Sequence, residues 1–228
     1  MVQTTLIILT RNEIEGLKKI IRKIPFEAVD EFFAVDYQST DGTVEFFEKI
    51  SIPVIKQIAP GRAEAFYLGA RHAKGKYLIF FSPDGNENPA DIPKLIHLLK
   101  NGSDLAIASR FMKGSRNEED DETLQFRKWA NQMFTLFIKF IWGGNITDSI
   151  NGYRGITKEA FKKIRLDAKG FAIEFQMTIR ALKLGLKVTE IPTVEGNRIG
   201  GQSASYAIPT GLKFLRYLAR EILIGRDF

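Results

Sequence analysis

The most informative segment of the sequence is residues 77–86, which read YLIFFSPDGN. The first five of these residues are apolar, and so short a run, closed by SPDG, is typical of a strand buried on both faces. Residues 82–86 are then predicted to form a loop. Ligands of open α/β sheets bind beyond the carboxyl ends of the strands, so this loop and its Asp84 are the first candidates for a functional site.

Strand and helix patterns alternate on both sides of this segment. Short apolar runs predict strands at residues 6–9, 31–36, 54–55 and 104–108. Apolar residues at helical spacing predict helices at residues 13–23, 43–50, 62–73 and 90–100. Alternation with short connections predicts an α/β fold that has a mainly parallel central sheet, helices on both faces and right-handed crossovers.

The second half of the chain follows a different pattern. Residues 116–122 are charged and lack periodicity, which predicts a mobile loop. Further patterns predict an aromatic-rich helix at 124–142, a helix at 172–184, a strand at 187–191 and, within 206–228, a C-terminal amphipathic helix at 208–223. No internal repeat or low-complexity tract divides the sequence, so residues 1–228 are predicted to form one domain.

Composition limits the possible functions. The chain has 228 residues, a net charge of +6 and no cysteine, which excludes disulfides and cysteine-based zinc sites. The sequence shows neither a signal-peptide pattern nor an apolar run long enough to span a bilayer, so a cytoplasmic protein, peripheral at most to a membrane, is expected. The positive charge suits anionic partners, but the basic residues are not clustered as nucleic-acid binding requires.

Polar residues follow three of the predicted strands. Residues 10–13 read TRNE, residues 36–43 read DYQSTDGT, and residues 82–86 read SPDGN. Each loop alone is also a good turn or helix-cap sequence, as in Asn12 or in the Asp41 to Thr43 segment. The carboxyl ends of parallel strands share one edge of the sheet, so the three loops together predict one binding site.

These segments resemble the inverting, GT-A-fold glycosyltransferases of family 2, in particular the dolichol-phosphate mannosyltransferase-like branch that uses polyprenyl phosphates. The resemblance covers about residues 4–205. It is carried by the three loops, by the glycines of the 61–75 segment and by residues 148–154, DSINGYR. It implies transfer of a sugar from a nucleotide diphosphate sugar to an acceptor, either a polyprenyl phosphate or another sugar.

The resemblance also implies roles for individual residues on the donor side. Glu13 and Asp36 would contact the nucleoside, and Arg62, at a helix N-terminus, would lie near the base or the diphosphate. The full set of implied donor-binding residues is Thr10, Asn12, Glu13, Asp36, Arg62, Asp84 and Arg110. Tyr37 and Arg11 replace residues that are common in the family, so the base preference is left open.

A divalent metal ion, Mg²⁺ or Mn²⁺, is the implied cofactor. Asp84 matches the last aspartate of the family's metal-binding motif, and Asn86 is the next polar residue that can contribute an oxygen ligand. Ser82 stands where the first aspartate of the motif is usual. This departure favours the alternative function, a catalytically faded GT-A-like domain that binds nucleotide sugars or regulates.

Two further residues are predicted to act in catalysis. Asp148 would be either a general base toward an acceptor hydroxyl or a structural residue, because a phosphate acceptor needs no base. Arg198, in the segment 197–203 that resembles the family's closing loop, would supply positive charge to the leaving nucleotide. The aromatic helix and the C-terminal helix are candidates for peripheral membrane contact, and a homo-oligomer is a further expected partner. A dehydrogenase is excluded, since no GxGxxG follows the first strand.

Overall fold

The computed structural model describes residues 2–121, 125–199 and 207–228. In these ranges the strands are β1 (Thr4–Thr10), β2 (Glu31–Asp36), β3 (Val54–Lys56), β4 (Tyr77–Phe81), β5 (Leu105–Ser109), β6 (Arg154–Thr157) and β7 (Val188–Pro192). The α-helices are α1 (Ile14–Ile20), α2 (Thr43–Lys49), α3 (Arg62–His72), α4 (Ile92–Lys100), α5 (Phe126–Trp142), α6 (Lys158–Lys163), α7 (Ile173–Lys183) and α8 (Ala207–Leu223).

The described strands form one sheet in the order β3-β2-β1-β4-β6-β5-β7. All neighbouring pairs are parallel except those of β6, which runs antiparallel to β4 and β5. The predicted α/β fold with a mainly parallel sheet is therefore confirmed. The sequence reading missed β6, because its four residues begin with Arg154 and Gly155 and show no apolar run.

Helices cover both faces of the sheet, as predicted. Along β1, Ile7 and Leu9 pack into one apolar cluster with α3 and α7, whereas Leu6 and Ile8 pack into a second cluster with α1, α2 and α4. Successive side chains of a strand point to opposite faces, so a strand with both faces covered buries its side chains on both faces. This explains why β1 and β4 are buried along their whole length.

A glycine sets the position of α3, the helix that leads from the binding edge of the sheet. A Cβ atom at Gly69 would lie 2.6 Å from Cγ2 of Ile7 in β1, so no larger residue fits between helix and strand. This close approach holds α3 directly against the central strand. Its first residue, Arg62, is thereby placed beside the carboxyl ends of the strands.

Several element boundaries differ from the prediction. The helix predicted at 13–23 is α-helical only to Ile20 and continues as a 3-10 turn. Residues 118–121, predicted as part of a loop, form a 3-10 turn whose acidic side chains pair with Arg127 and Lys128 of α5. Helix α6 was missed; it is short, and the Thr157 hydroxyl caps it by accepting a hydrogen bond from the Ala160 N–H.

The C-terminal helix α8 lies within the predicted segment 206–228, although residue 206 is outside the described ranges. Buried charges hold it in place: the Glu221 carboxylate, fully buried, pairs with Arg180 at 3.0 Å and with Lys183 at 2.9 Å. The Gln176 amide donates to the same carboxylate. Among the described helices, none is long and apolar enough to cross a bilayer.

Glu221→Ala is expected to destabilise the fold by about 3–5 kcal/mol, because it leaves the buried guanidinium of Arg180 and ammonium of Lys183 without their shared counter-ion. Urea denaturation followed by circular dichroism measures the change. Glu159→Ala, at an exposed site on α6, is the matched control and should change stability by less than about 0.5 kcal/mol. Equal stabilities of the two variants would contradict this role of Glu221.

Candidate functional site

The loops that follow β1 and β2 are joined by reciprocal hydrogen bonds. The Asn12 N–H donates to the Ser39 hydroxyl at 2.8 Å, and the Thr40 N–H donates to the Asn12 side-chain oxygen at 2.8 Å. Asn12 has a φ of 56°, a left-handed conformation that asparagine tolerates better than most residues. The first two predicted loops therefore form one continuous wall.

Asp36 lies inside this wall rather than at its surface. It is 3% exposed, and its carboxylate accepts hydrogen bonds from the Thr10 hydroxyl (3.0 Å) and from the hydroxyl and N–H of Ser39. These contacts fix the orientation of both loops. The predicted contact of Asp36 with a nucleoside stays a prediction.

The capping function considered for the second loop is also present. The Asp41 carboxylate accepts from the Ile14 N–H at 3.0 Å, and the Thr43 hydroxyl accepts from the Glu13 N–H at 3.0 Å. Both donors belong to the start of α1. The turn requires Gly42, whose φ is 94°, so the segment holds Glu13 in position while capping the helix.

The loop after β4 binds a distant segment of the chain. The backbone N–H groups of Gly196 and Ile199 donate to the carbonyls of Asn86 (2.9 Å) and Asp84 (2.8 Å). Ile199 also packs over Gly85, whose φ is 95° and where an added Cβ would lie 2.5 Å from the isoleucine side chain. These contacts carry Arg198 onto the loop. The remainder of the predicted closing segment, residues 200–203, is outside the described residues.

The Arg198 guanidinium joins the first and third loops. Its Nη2 is 2.6 Å from Oε1 of Glu13, and its Nη1 is 3.3 Å from Oδ2 of Asp84. Two carboxylates that are 71 residues apart in sequence (84 − 13) thus face one cation. The two loops meet at one edge of the sheet, which is the convergence that the sequence predicted.

A cavity of about 420 Å³ opens at this point, beyond the carboxyl ends of β1 and β4. Six of the predicted site residues line it: Thr10, Asn12, Glu13, Arg62, Asp84 and Arg198. Gly61, which belongs to the segment that carries the family resemblance, also lines the cavity, as do Gln57 and Phe171, which the sequence analysis did not single out. The Gln57 amide donates to the carbonyls of Ala59 and Gly61, which orders the start of α3.

The electrostatics of the cavity are dominated by buried carboxylates. Burial raises the pKa of Glu13 to about 7; the charge of Arg198 opposes this rise and that of Asp84 adds to it. Burial also raises the pKa of Asp84, against the charge of Arg198. Groups with such perturbed pKa values in a cavity are typical of functional sites. A cation bound here would be stabilised by both carboxylates.

A second cavity, of about 210 Å³, adjoins the first, and Arg62 and Phe171 line both. The Arg62 guanidinium pairs with Glu174 of α7 and donates to the Ser82 hydroxyl at 3.4 Å. Arg110, predicted as a donor-binding residue, lines this second cavity. Its other charged lining residues are Glu118, Glu119, Arg127, Lys128 and Glu174, none of which was predicted as a site residue.

Asp148 is fully buried and holds Arg110. Its Oδ2 accepts from the Arg110 Nε at 2.7 Å, and its Oδ1 accepts from the Arg110 Nη2 at 3.0 Å and from the N–H groups of Ile150 and Asn151. Burial by itself would raise the pKa of Asp148, but the Arg110 charge and these hydrogen bonds hold it below its ordinary value. Of the two roles considered for Asp148, this environment favours the structural one, in which it positions Arg110.

The oxygens near Asp84 are chemically suited to a hard divalent cation. Asn86 Oδ1 and Glu13 Oε2 are buried and lack a hydrogen-bond partner among the described residues, and the Asp84 carboxylate is adjacent. Carboxylate and amide oxygens are ligands that Mg²⁺ and Mn²⁺ accept. No group of three or more acidic, histidine or cysteine residues forms a metal cage within the described ranges. A cation at Asp84 would therefore also need phosphate or water oxygens.

The sheet order and the position of the cavity define a class, the GT-A fold. A mycobacterial protein of known structure superposes with a TM-score of 0.73 at 18% identity, covering 95% of this chain and 73% of that one. Glucosyl-3-phosphoglycerate synthase from Mycobacterium tuberculosis, in complex with Mn²⁺ and uridine-diphosphate-glucose, superposes with a TM-score of 0.71 at 18% identity, covering 99% of this chain and 79% of that one. At this identity the likeness shows the fold.

The sequence itself shows the family. The profile of glycosyl transferase family 2 matches residues 5–165, and the chain belongs to that family. Dolichol-phosphate mannosyltransferase of Pyrococcus furiosus is 30% identical over 96% of this chain and 63% of its own length. Glycosyltransferase AglJ of Haloferax volcanii is 28% identical over 86% of this chain and 64% of its own length. The chain thus spans slightly less than two thirds of these two relatives. Undecaprenyl-phosphate mannosyltransferase of Micrococcus luteus is 29% identical, with 86% and 85% covered.

Glu13→Gln is expected to gain stability relative to the wild type as the pH rises from about 5 to about 8, by up to about 3 kcal/mol. The native pKa of Glu13 is about 7 against an ordinary value of 4.5, so the native chain keeps this proton longer than the unfolded chain. The stability linked to the proton is fully present below the ordinary pKa and is lost as the pH rises through 7. Glutamine does not titrate and loses nothing.

Urea denaturation at the two pH values measures this relative gain. Glu15→Gln, on the exposed side of the same helix, is the matched control and should show no such trend. A stability difference between Glu13→Gln and the wild type that is the same at both pH values would show that Glu13 ionises normally.

Proposed function

We propose that this chain is a glycosyltransferase that moves a sugar from a nucleotide diphosphate sugar to an acceptor, with inversion at the anomeric carbon. The observation that carries the proposal is the meeting of Glu13, Asp84 and Arg198 in one cavity beyond the carboxyl ends of β1 and β4. A site that combines an arginine with two carboxylates able to hold a cation suits an anionic donor whose charge increases as the bond to the sugar breaks.

The donor would occupy the larger cavity in the following orientation. The nucleoside would lie against the first wall, where Thr10, Asn12 and Glu13 offer acceptors and donors, with Asp36 supporting them from behind. The diphosphate would lie between Arg198 and the N-terminus of α3, where Arg62 adds charge and the helix end adds the positive end of its dipole. Both charges are then close to the oxygens of the leaving group.

A divalent metal ion, Mg²⁺ or Mn²⁺, would be held by Asp84 and Asn86 together with donor oxygens. Such an ion neutralises charge on the departing nucleotide when bound. The orphaned oxygen of Asn86 and the buried carboxylate of Asp84 support this assignment. Ser82 stands in the place of another aspartate and carries no negative charge. We therefore expect the metal ion to bind weakly when no nucleotide is present.

The acceptor would approach through the second cavity. Arg62 and Arg110 both line it, and guanidinium groups suit a phosphate. Two of the relatives are named for dolichol phosphate and undecaprenyl phosphate, which supports a polyprenyl phosphate over a glycan. A phosphate oxygen is already anionic at neutral pH and attacks without a base. Asp148 would then position Arg110 and take no proton.

An acceptor of this kind is delivered at a membrane surface. We therefore propose that the protein acts as a peripheral protein at the cytoplasmic face of a membrane. The positive net charge of +6 suits that location, because cytoplasmic leaflets carry anionic lipids.

Thermal shift against uridine, guanosine and other nucleotide sugars, with and without Mn²⁺, tests the donor site. One base is expected to stabilise the chain by several degrees, since a ligand at a hundred times its Kd adds about 2.7 kcal/mol of stability. In Asp84→Asn the additional shift caused by Mn²⁺ should disappear, and the shift caused by nucleotide alone should persist. Glu64→Gln, which neutralises an acidic residue in the first turn of α3, is the control and should keep the additional shift caused by Mn²⁺.

Transfer is then measured with a short-chain polyprenyl phosphate and the stabilising donor. Product formation supports the enzyme. Nucleotide-sugar binding without turnover toward phosphate or glycan acceptors would instead support a binding or regulatory domain, and no stabilisation by any nucleotide sugar would contradict both functions.

Arg198→Gln is expected to bind Mn²⁺ more tightly than the wild type when no nucleotide is present, by roughly three- to tenfold, and to transfer sugar on the order of a hundredfold more slowly. The guanidinium contacts the carboxylate at which a cation would bind, so its removal relieves repulsion. The same substitution also removes a positive charge that would stabilise the leaving group. Electron paramagnetic resonance of free Mn²⁺ measures the affinity.

Arg11→Gln is the matched control for this effect, because the Arg11 guanidinium lines the same cavity but lies over the Tyr37 ring at 5.1 Å. Its Mn²⁺ affinity should stay close to that of the wild type. Weaker Mn²⁺ binding in Arg198→Gln would mean that Arg198 supports the cation rather than competes with it.

A further inference from the structure

Helix α5 presents large apolar side chains to solvent along its whole length. Seven of them are between 39% and 89% exposed: Phe126, Trp129, Met133, Leu136, Phe137, Phe140 and Ile141. A surface helix of a globular protein normally directs its apolar residues to the core and polar residues outward. Contiguous exposed apolar surface of this kind marks an interaction site.

The spacing of these residues shows that they form one face. Steps of three and four residues place them on one side of an α-helix, while Phe134, Thr135 and Ile138, on the other side, are buried. Core packing therefore occupies one side of α5 and leaves the other side uncovered. Packing within the described chain does not account for the outward residues.

Helix α8 repeats the pattern beside it. Phe214, Leu218 and Glu221 point inward, and the rings of Phe214 and Phe134 pack edge to face at 5.5 Å, which brings the two helices together. Among the residues of α8 whose side chains are described, the outward apolar ones are Leu212, Leu215, Ile222 and Leu223. We define these four and the seven of α5 as the α5–α8 apolar face.

Charge distinguishes a lipid surface from a second copy of the chain. Lys213 and Arg216 are exposed on α8 next to its apolar residues, and Lys139 borders the face on α5. A second copy would bring the same positive charges together, whereas anionic headgroups neutralise them. Amphipathic helices with aromatic residues on one face and basic residues at its border bind in the interface of such bilayers.

The shape of the α5–α8 apolar face also favours a lipid surface over a folded partner. Phe140 is 89% exposed and Leu223 is 85% exposed, so these side chains project singly instead of lining a groove. Fluid acyl chains can surround projecting side chains without a matching surface. A folded partner would need shape complementarity at each of them.

We propose that the α5–α8 apolar face inserts into the interfacial region of a bilayer that contains anionic phospholipids. The second cavity lies between the same two helices. Phe126, Phe134 and Phe214 line it there, and its lining also includes Arg110 and Arg62. Docking on this face would therefore bring that cavity close to the lipid. This last step rests on the proposed function, in which the acceptor is a lipid-linked phosphate. Such an acceptor would reach the acceptor site directly from the bilayer.

Vesicle flotation with the full chain tests the surface. The wild type is expected to float with vesicles of phosphatidylcholine mixed with phosphatidylglycerol and to bind vesicles of phosphatidylcholine alone more weakly. The double variant Leu136→Gln with Phe140→Gln should bind the anionic vesicles at least about tenfold more weakly, because two apolar side chains are lost from the interface. Lys213→Glu with Arg216→Glu should weaken binding to the anionic vesicles selectively.

Ile58→Gln is the matched control, since Ile58 is 86% exposed and lies outside the α5–α8 apolar face. It should bind vesicles as the wild type does. Analytical ultracentrifugation gives the competing outcome: a dimer that Leu136→Gln with Phe140→Gln dissociates would identify a second copy as the occupant. Absence of wild-type flotation, or flotation unchanged in that double variant, would overturn the proposal.

Nucleotide-sugar binding, measured by calorimetry on the same variants, separates this proposal from the proposed function. It should be unchanged in Leu136→Gln with Phe140→Gln. Vesicle binding without any nucleotide-sugar binding would support the membrane-binding surface and contradict the proposed glycosyltransferase function. Nucleotide-sugar binding and transfer to a soluble short-chain acceptor without vesicle binding would support the glycosyltransferase function and contradict the membrane-binding surface.

Discussion

The contact of one guanidinium with two buried carboxylates organises this site. Arg198 pairs with Glu13 from the loop after β1 and with Asp84 from the loop after β4. Two carboxylates brought this close out of water would repel each other, and both have raised pKa values. The arginine makes their proximity tolerable, and the same proximity prepares the site for another cation and for an anionic ligand.

The fold supplies the geometry that this contact requires. Parallel strands deliver their loops to one edge, and Gly69 lets α3 lie close enough to β1 to place Arg62 at that edge. Gly85 adopts a left-handed conformation under Ile199, so the segment carrying Arg198 can follow the loop of Asp84. Packing at positions without charge thus determines where the charges meet.

Local pattern was enough to predict much of this arrangement. The alternation of short apolar runs with helical spacing predicted six of the seven described strands (counting 187–191) and the two-faced sheet. The position of polar residues after β1, β2 and β4 predicted a shared edge, and six predicted residues line the larger cavity. Both inferences depend on sequence neighbours and on the known geometry of parallel sheets, so they need no long-range contacts.

The remainder depends on long-range contacts that the sequence does not display. Strand β6 is held by its neighbours and carries no strand pattern of its own. The bonds of Asp148 to Arg110, which favour its structural role over a general base, could not be inferred from its position in the sequence. The second cavity combines residues from α3, α5, α7 and α8, so its charged lining could not be assembled from spacing alone.

A double-mutant cycle on donor affinity tests the central claim most directly. Calorimetry would give the affinity of the best-binding nucleotide sugar, with Mn²⁺, for the wild type, Glu13→Gln, Asp84→Asn and the double variant. Because both carboxylates contact one guanidinium in one cavity, the two effects should be coupled by about 0.5–3 kcal/mol. Effects that add to within about 0.3 kcal/mol would mean that Glu13 and Asp84 act independently and do not form a single site.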